Sequence, residues 1–374
     1  MSGAIVRVGM LGAGFIGQMH SLAFRLAGYA RQEPTVRAEF VALADYDMEL
    51  RESVAARYGW ASHLSDWDDL LDEDLELFIN AGPNDVHVEP ALRAAAKGMF
   101  VFSEKPLAAT AEEAYQLWKG VTAHGVGNRC AFMQRFIPAV QLAKAMVDAG
   151  DLGEVRQFRS QFLLDMVGAA GDLPWRFDRT RAGLGALGDL GSHHVDLARF
   201  IVGSEIVRVT GVTRTWSADP RGAMEHVNDD AFACVAELEN GAIAVFEACR
   251  VANAHRLTGR FEVDGTRGSV SFDMERLNEL MIRQPRQGPT TVMVTRMGDP
   301  FDGFWLPSGI QGSHPLGWTE CFGYQAHAIL GLASGLVEES AAATFEDGYR
   351  VAEIVDTIDR AAREGAARAV EFRA

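Results

Sequence analysis

The sequence predicts an α/β fold in two domains: an N-terminal doubly wound parallel sheet, then a C-terminal α+β domain with a large, mostly antiparallel open sheet. Two observations carry this prediction. Strand-like and helix-like segments alternate through the first third of the chain, as in a parallel sheet covered by helices. Beyond Gly125, apolar and polar residues alternate, as in half-buried antiparallel strands. We place the boundary near residue 130, so the predicted domains cover residues 1–130 and 131–374.

The N-terminal elements follow from apolar runs of strand length with helical patterns between them. Ile5–Leu11 and Phe40–Ala44 are apolar runs, and the intervening segment Gln18–Ala27 has a helical pattern. A later helical segment stops at Gly98, a residue type that commonly ends helices. The remaining predicted elements of this half are strands at Leu77–Ala81 and Met99–Phe102 and helices at Pro90–Lys97 and Ala111–Ala123.

The C-terminal elements follow from stricter alternation and from turn residues. The run Glu239-Asn240-Gly241 separates two alternating segments and therefore predicts a β-hairpin. The predicted elements are helices at Pro138–Ala149 and Phe345–Arg363, strands at Val155–Leu163 and Val207–Thr213, and hairpins joining Phe232–Leu238 to Ala242–Ala248 and Arg260–Thr266 to Gly268–Phe272.

A glycine-rich turn lies between the first predicted strand and the first predicted helix, with the sequence Gly12-Ala13-Gly14-Phe15-Ile16-Gly17. In a dinucleotide site the first glycine permits a tight turn, the second lets a pyrophosphate approach, and the third lets helix and strand pack closely. Free N–H groups and the helix dipole favour an anion there. We therefore predict that Gly12, Gly14 and Gly17, with Phe15 and Ile16, bind a dinucleotide in a Rossmann domain.

An acidic residue ends the second predicted strand and bears on the choice of cofactor. Asp45 follows Gly17 at a longer spacing than the usual about 20 residues. A carboxylate there accepts hydrogen bonds from the ribose hydroxyl groups and repels a 2′-phosphate, which usually pairs with an arginine. No arginine follows until Arg51, so we predict NAD rather than NADP.

A second glycine pattern serves as an internal control for the first. Gly183-Leu184-Gly185-Ala186-Leu187-Gly188 has the same spacing, but it follows the polar run Arg176–Arg181 rather than a buried strand. A glycine pattern outside the strand–turn–helix context is weak support for a nucleotide site. We therefore interpret the second pattern as a turn.

Composition excludes several classes of function. The contents of 48% hydrophobic and 23% charged residues are those of a globular protein, and the net charge of −16 argues against nucleic acid and anionic membranes as partners. No apolar run approaches the ~18 residues of a membrane span, and the N-terminus runs directly into a strand, so we expect no membrane insertion and no signal peptide. The four scattered cysteines predict reduced thiols in the cytoplasm and no metal site.

Two further motifs carry candidate catalytic residues. Lys105 follows Glu104 at the carboxyl end of a predicted parallel strand, where ligands of such sheets bind. Asp189 and His193 are four residues apart on a predicted helix that starts at Asp189, so the carboxylate can orient the imidazole as a general base. Each motif has an alternative interpretation: a solvated lysine at a strand end, and a helix-initiating acid with a buried structural histidine. A zinc site formed by Asp189, His193 and His194 is a weaker alternative, because its ligands would have to be spread around the helix.

With these motifs in place, the chain resembles the glucose–fructose oxidoreductase/inositol dehydrogenase (Gfo/Idh/MocA) family over almost its whole length. Within the family, the stretch from Pro174 to Asp189 most resembles the levoglucosan-oxidising members. The motifs that carry the resemblance are the glycine turn, Ala81-Gly82-Pro83-Asn84 with His87, Ser103-Glu104-Lys105-Pro106-Leu107-Ala108, Gln134-Arg135-Phe136 with Pro138, and Asp189 to His193.

The resemblance implies roles by position. His193 removes the hydroxyl proton as hydride leaves the same carbon, Lys105 steadies the developing alkoxide, and Asp189 positions the substrate and the imidazole. The bond between Lys105 and Pro106 is usually cis in the family. The implied cofactor-side residues are Pro83, Asn84, His87, Glu104, Lys105, Gln134, Trp175 and Arg176.

The resemblance also implies an activity and an assembly. We expect an NAD-dependent dehydrogenase that oxidises a ring secondary hydroxyl of a levoglucosan-, glucoside- or inositol-like substrate, in a homodimer or homotetramer paired through the open sheet. Two alternatives stay open: a keto-sugar or aldose reductase working in the opposite direction, and a non-catalytic NAD-sensing regulator. Departures from the family pattern at Met133-Gln134-Arg135 and in the aromatic loop Phe301–Trp318 leave the exact substrate open.

Overall fold

The structure, a computed structural model, describes residues 3–29, 35–166, 175–216, 227–294, 296, 298 and 315–374. These residues form two compact units. The first unit comprises the described residues of Met1–Ala108, Glu112–Phe136 and Phe301–Gly348, and the second those of Ala109–Ala111, Ile137–Pro300 and Tyr349–Ala374. The division into functional domains at residue 130 stays a prediction.

The first unit is built on a six-stranded parallel sheet with the strand order β3-β2-β1-β4-β5-β6. Its strands are β1 Ala4–Leu11, β2 Val36–Ala44, β3 Ser62–Leu64, β4 Leu77–Asn80, β5 Phe100–Ser103 and β6 Asn128–Cys130. The helices of this part of the chain are α1 Phe15–Ala27, α2 Met48–Tyr58, α3 Trp67–Leu71, α4 Val88–Ala96 and α5 Ala111–Ala123, with 3₁₀ turns at Asn84–Val86 and Met133–Phe136.

Local sequence explains these elements. All four residues of β4 are buried, so this apolar strand suits a sheet covered on both faces. Helix α2 begins where the side chain of Asp47 accepts a 3.0 Å hydrogen bond from the backbone N–H of Leu50, and it ends at Gly59 with φ 75°. The predicted parallel sheet is confirmed, and its carboxyl edge carries the residues discussed below.

The second unit is built on a nine-stranded sheet with the order β14-β13-β12-β11-β7-β10-β9-β8-β15. Among the strand pairs described for this sheet, only β7 with β10 is parallel. The elements that follow α5 are α6 Pro138–Asp148, β7 Val155–Leu163, α7 Arg179–Ala182, α8 Ser192–Val202, β8 Ile206–Arg214, β9 Ala231–Leu238, β10 Ile243–Cys249, β11 Thr258–Gly265, β12 Ser269–Asp273, β13 Glu279–Arg283, β14 Thr290–Met293, α9 Trp318–Ala333, α10 Phe345–Glu364 and β15 Arg368–Ala369. Both predicted hairpins are present, as β9–β10 and β11–β12.

The two faces of this sheet differ in burial. On the inner face the rings of Phe158 and Phe261 stack with centroids 6.0 Å apart, and Phe246 packs beside Phe158. On the outer face Val235 and Ile243 are 45% and 47% exposed. The predicted α+β domain with an open, mostly antiparallel sheet is therefore confirmed.

Within the described ranges, no helix has the length and apolar character needed to cross a membrane.

Candidate functional site

The glycine turn joins β1 to α1, and steric contacts explain two of its glycines. Gly12 has φ 99°, and a Cβ atom there would lie 2.5 Å from the carbonyl oxygen of Ala81. A Cβ atom at Gly17 would lie 2.0 Å from the carbonyl oxygen of Gly12. At Gly14 a Cβ atom would meet nothing within 4 Å, so the space above this residue is open to a ligand.

The N-terminus of α1 suits an anion. The N-cap residue of α1 is Gly14, and no side-chain hydrogen bond caps the helix there. The first N–H groups of the helix are therefore available to a bound phosphate. Phe15 is 68% exposed at this end of the helix, and Ile16 is half-buried. The ring of Phe15 stacks on that of Trp318, with ring centroids 6.5 Å apart. Trp318 is the last residue of the predicted aromatic loop, and residues 301–314 of that loop lie outside the described residues.

Asp45 lies against the same turn. Its Oδ2 atom accepts a 2.7 Å hydrogen bond from the backbone N–H of Ala13, and Oδ1 accepts a 3.0 Å hydrogen bond from that of Asp47. The guanidinium of Arg51 donates to the carbonyl oxygens of Asp45 and Tyr46, at 3.1 and 3.2 Å. An acid at the turn, with the nearest arginine held by main-chain carbonyls, fits a ribose with free hydroxyl groups better than a 2′-phosphate.

The loops that follow β4 and β5 are joined by hydrogen bonds through the side chain of His87. His87 is fully buried, with Nδ1 3.0 Å from the carbonyl oxygen of Pro106 and Nε2 3.0 Å from that of Gly82. Burial lowers the pKa of His87, although both carbonyl contacts oppose this shift. The imidazole therefore ties the Gly82–Asn84 segment, with the half-buried Pro83 and the buried Asn84, to the loop that carries Lys105. Its predicted contact with cofactor stays a prediction.

Asn80 also shapes this edge and was missed by the sequence analysis. Its side-chain amide donates to the carbonyl oxygens of Val86 and His87 at 3.0 and 3.2 Å, and its Oδ1 atom accepts from the backbone N–H of Gly82 at 3.2 Å. The available signal was an amide residue ending an otherwise apolar buried strand, because such a group needs several polar partners.

Glu104 and Lys105 follow β5. The bond between Lys105 and Pro106 is cis, and the side chain of Lys105 is half-buried. Glu104 is buried, and its Oε2 atom accepts a 3.0 Å hydrogen bond from the backbone N–H of Lys105. Its Oε1 atom lies 2.7 Å from Nε2 of His20 on α1. Burial alone would raise the pKa of Glu104, but the hydrogen bond and charge of His20, together with the charge and backbone N–H of Lys105, outweigh it and the net shift is downward.

His20 is the second residue that the sequence analysis missed. It is 1% exposed and packs edge-on against Phe102 and Phe322, with ring centroids 5.2 and 5.8 Å away. Its signal was a histidine on the helix face that also carries the apolar Ala23 and Phe24. Gln134 lies in the 3₁₀ turn Met133–Phe136 of the same unit and is buried.

In the second unit, Asp189 and His193 lie on one continuous helical segment whose first turn is unusual. The helix predicted from Asp189 starts instead with a π-helical turn, Leu187–Gly191, that runs into α8. Single π turns recur at functional sites. Asp189 and His193 are both half-buried, and the backbone N–H of Asp189 donates to the carbonyl oxygen of Gly185 at 2.8 Å. The pattern of apolar residues in the sequence does not distinguish a π-helical turn from an α-helical one, so the π turn was not predicted.

The neighbouring histidine has a different environment. His194 is buried and stacks on Phe162, with ring centroids 5.2 Å apart. Burial lowers its pKa to about 3. His193 contacts the same ring at a longer centroid distance of 6.1 Å. Of the two adjacent imidazoles, His193 is thus the one that reaches the surface of this unit.

Trp175 and Arg176 form a 3₁₀ turn with Phe177 in the second unit. The guanidinium of Arg176 lies 4.6 Å from the centroid of the Trp175 ring, a cation–π contact. The first unit therefore brings the glycine turn, Asp45, Glu104 and Lys105 to one sheet edge, whereas Trp175, Arg176, Asp189 and His193 belong to the second unit. In the part of the chain that the structure describes, no group of three or more His, Cys, Asp or Glu side chains has the arrangement of a metal site.

Comparison with known proteins identifies the family. Residues 6–131 match an oxidoreductase family with an NAD-binding Rossmann fold, and residues 140–271 match the GFO/IDH/MocA C-terminal domain. Levoglucosan dehydrogenase of Pseudarthrobacter phenanthrenivorans is 34% identical over 96% of this chain and 97% of its own length. The chain belongs to the Gfo/Idh/MocA family. This Gfo/Idh/MocA protein is an oxidoreductase, and its N-terminal domain binds NAD, as the glycine turn and Asp45 predicted.

Two further relatives of this Gfo/Idh/MocA oxidoreductase are informative. A solved structure of levoglucosan dehydrogenase in complex with NADH and L-sorbose has a TM-score of 0.91 at 32% identity and covers 99% of this chain and 100% of that chain. The scyllo-inositol 2-dehydrogenase (NAD(+)) of Bacillus subtilis is 30% identical over 71% of this chain and 73% of its own length. The predicted family resemblance is confirmed.

Proposed function

We propose that the protein is an NAD-dependent dehydrogenase that oxidises a ring secondary hydroxyl of a cyclic sugar or polyol to a ketone. The observation that carries this proposal is the presence of Lys105, Asp189 and His193 in a chain similar over nearly its full length to levoglucosan dehydrogenase. A regulator that only senses NAD has no use for a lysine and a histidine at these positions, so the enzyme is the better supported alternative.

We assign the cofactor to the first unit on the basis of its own geometry. The uncapped start of α1 and the open space at Gly14 suit the pyrophosphate, and Asp45 suits the ribose hydroxyl groups. When bound, NAD accepts the hydride that leaves the carbinol carbon. The further residues that we propose to contact it are Phe15, Ile16, Pro83, Asn84, His87, Glu104, Lys105, Gln134, Trp175 and Arg176.

We propose that three side chains assist the oxidation, one by accepting the proton and two by stabilising and orienting the reacting groups. His193 accepts the hydroxyl proton at its imidazole, because a neutral imidazole is an effective base near neutral pH and this ring is only half-buried. Lys105 holds the oxygen on which negative charge develops, since a fixed cation stabilises a developing alkoxide. Asp189 orients the imidazole and the substrate.

We also propose a homodimer or homotetramer formed through the outer face of the nine-stranded sheet. One face of an antiparallel sheet is commonly solvated, but exposed apolar side chains that lie together on such a face mark a surface where another protein packs. Val235 and Ile243 are exposed there, and Val245 lies beside them on β10. A second copy of this chain would bury these apolar side chains.

We propose a cytoplasmic location on the basis of the cysteines. All four are free thiols, and three of them are buried. Burial raises the pKa of Cys234 and that of Cys321 to about 12, so both stay protonated and unreactive. Free thiols of this kind are typical of a reducing compartment.

The proposed activity is tested by NADH absorbance in the presence of levoglucosan, glucose, myo-inositol, scyllo-inositol, xylose and several glycosides, each with NAD and with NADP. We expect one ring sugar or polyol to be oxidised with NAD. NADH oxidation with the matching keto-sugars would measure the reverse reaction. Silence in both directions, with NADH binding intact by calorimetry, would favour a more elaborate substrate, such as a glycoside outside the panel, or the sensing alternative.

A further inference from the structure

A cluster of four buried polar residues lies in the second unit, outside the proposed site. We define the buried anchor as Asn228, Asp229, Asp230 and Arg250, which are 1%, 5%, 0% and 1% exposed. All four are far in sequence from Trp175–Phe177 and from the π turn Leu187–Gly191, yet the anchor contacts both segments. Polar groups buried this deeply are costly unless they are hydrogen-bonded, so the hydrogen bonds of these residues indicate which segments the cluster positions.

Asp229 holds the chain just before Asp189. Its Oδ1 atom accepts a 2.6 Å hydrogen bond from the backbone N–H of Gly185, and Oδ2 accepts a 2.8 Å hydrogen bond from that of Leu187. Its carbonyl oxygen accepts from the N–H of Ala186 at 2.8 Å. Asp229 therefore accepts from three consecutive N–H groups that lead into the π turn, two with its side chain, as a capping residue does, and one with its backbone carbonyl.

Gly185 shows how tightly this contact is built. A Cβ atom at this position would lie 1.9 Å from the carbonyl oxygen of Asp229 and 2.9 Å from Nη1 of Arg250. The carbonyl oxygen of Gly185 in turn accepts from the backbone N–H of Asp189. In the second glycine pattern, Gly185 thus permits close packing onto the anchor, and Leu187 and Gly188 already belong to the π-helical turn.

Arg250 and Asn228 hold the other segment. The Nη1 atom of Arg250 and the side-chain amide of Asn228 both donate to the carbonyl oxygen of Arg176 at 3.1 Å. Arg250 also pairs with Asp230 at 3.1 Å, and its guanidinium lies 3.7 Å from the centroid of the Phe177 ring. The same amide of Asn228 donates to the carbonyl oxygen of Gly183 at 3.0 Å. One cluster thus joins the Trp175–Phe177 turn to the segment that leads into Asp189.

We propose that Asp229 and Arg250 are positioning residues that fix the π turn, and with it Asp189 and His193, in the arrangement needed for turnover. This inference rests on the proposed function. Stability alone does not explain the anchor, because well-packed apolar residues are often at least as stabilising as a buried ion pair. A displacement of about 1 Å at a catalytic group can cost about 100-fold in rate.

The test is the Asp229→Asn variant, which keeps the shape but replaces one accepting oxygen with an NH₂ group. We expect kcat to fall about 100-fold, while KM for NAD and the dissociation constant of NADH stay within about threefold. We also expect the pH profile of kcat to shift, because Asp189 no longer holds the imidazole as before. The matched control is Asp273→Asn: Asp273 is also an aspartate that caps a turn of the second unit, accepting from the N–H of Glu275 at 3.0 Å. It should behave as wild type.

The outcomes separate the two proposals. If wild type turns over no substrate, the proposed function fails whatever Asp229→Asn does, and if His193→Ala retains its activity, the proposed role of His193 fails. If wild type is active and His193→Ala is not, an Asp229→Asn variant with wild-type kcat and pH profile overturns the positioning role. Should Asp229→Asn not fold by circular dichroism, Arg250→Lys replaces it: this variant keeps the charge beside Asp230 but loses the bridge to Arg176, and unchanged kcat would again overturn the proposal.

Discussion

Nε2 of His20 lies 2.7 Å from Oε1 of Glu104, and both side chains are almost fully buried, at 1% and 7% exposure. The other carboxylate oxygen of Glu104 accepts from the backbone N–H of Lys105. His20 is on α1, the helix whose N-terminus we assign to the pyrophosphate. One hydrogen-bonded chain therefore connects the cofactor helix to the proposed catalytic lysine within the first unit.

We expect His20→Ala to impair both stability and turnover. It removes a partner from a buried carboxylate, which costs about 1–3 kcal/mol or more in the free energy of unfolding. Denaturant unfolding and kcat measure the two effects. The control is His63→Ala, an exposed histidine of the same unit. Wild-type stability and kcat in His20→Ala would contradict the connection.

Lys105→Ala and His193→Ala should each abolish turnover while leaving NADH binding nearly intact. Loss of a general base typically costs about 10²- to 10⁴-fold in rate. Steady-state kinetics and a fluorescence titration with NADH separate the two properties. His255→Ala, an exposed histidine in the second unit, is the control for the histidine variant. Activity within about tenfold of wild type would remove the residue concerned from the proton chemistry.

Asp45→Ser should weaken the preference for NAD. The substitution removes the carboxylate that repels a 2′-phosphate and also releases the N–H of Ala13, which then becomes available to an anion. We expect kcat/KM for NAD to fall about tenfold and that for NADP to rise, as for the loss of one charge-assisted hydrogen bond. Asp74→Ser, an exposed aspartate of the same unit, should change neither value.

Stability should fall in mild acid because of His194. Its folded-state pKa of about 3 lies below the ordinary value of 6.5, so between these values the unfolded chain binds a proton that the folded chain does not. Lowering the pH from about 7.5 to about 5 should therefore cost about 2 kcal/mol through this group. In His194→Phe, which keeps a ring against Phe162, the pH-dependent loss should shrink by that amount in denaturant unfolding. The exposed-site variant His255→Phe should retain the full loss.

The proposed oligomer makes a prediction about the open sheet face. Val235→Asp places a charge among exposed apolar side chains of this face and should lower the molar mass in solution, because burying an unpaired charge is costly. Light scattering after size-exclusion chromatography measures the mass. Leu336→Asp, at an exposed leucine of the first unit, is the control. A monomeric wild type at micromolar concentration would exclude the proposed assembly.

Much of the fold followed from local patterns. The glycine turn, the apolar run of β4 and the alternation in β9 and β10 each predict an element from a pattern of residues close in sequence. The family motifs identified the chain for the same reason, since they are short and contiguous. His20 and Asp229 escaped notice because their partners, Glu104 and the segment Gly185–Leu187, lie far away in sequence.

By itself, then, the sequence determined the two kinds of sheet, the dinucleotide turn and the family, because strand periodicity and the glycine and family motifs are patterns of a few neighbouring residues. The tertiary structure alone decided how the proposed site residues are held. The burial of Glu104 beside His20, the π turn before His193 and the capping of that turn by Asp229 depend on segments meeting in space. A buried polar group must find its partner wherever the fold places one, and no local pattern records that position.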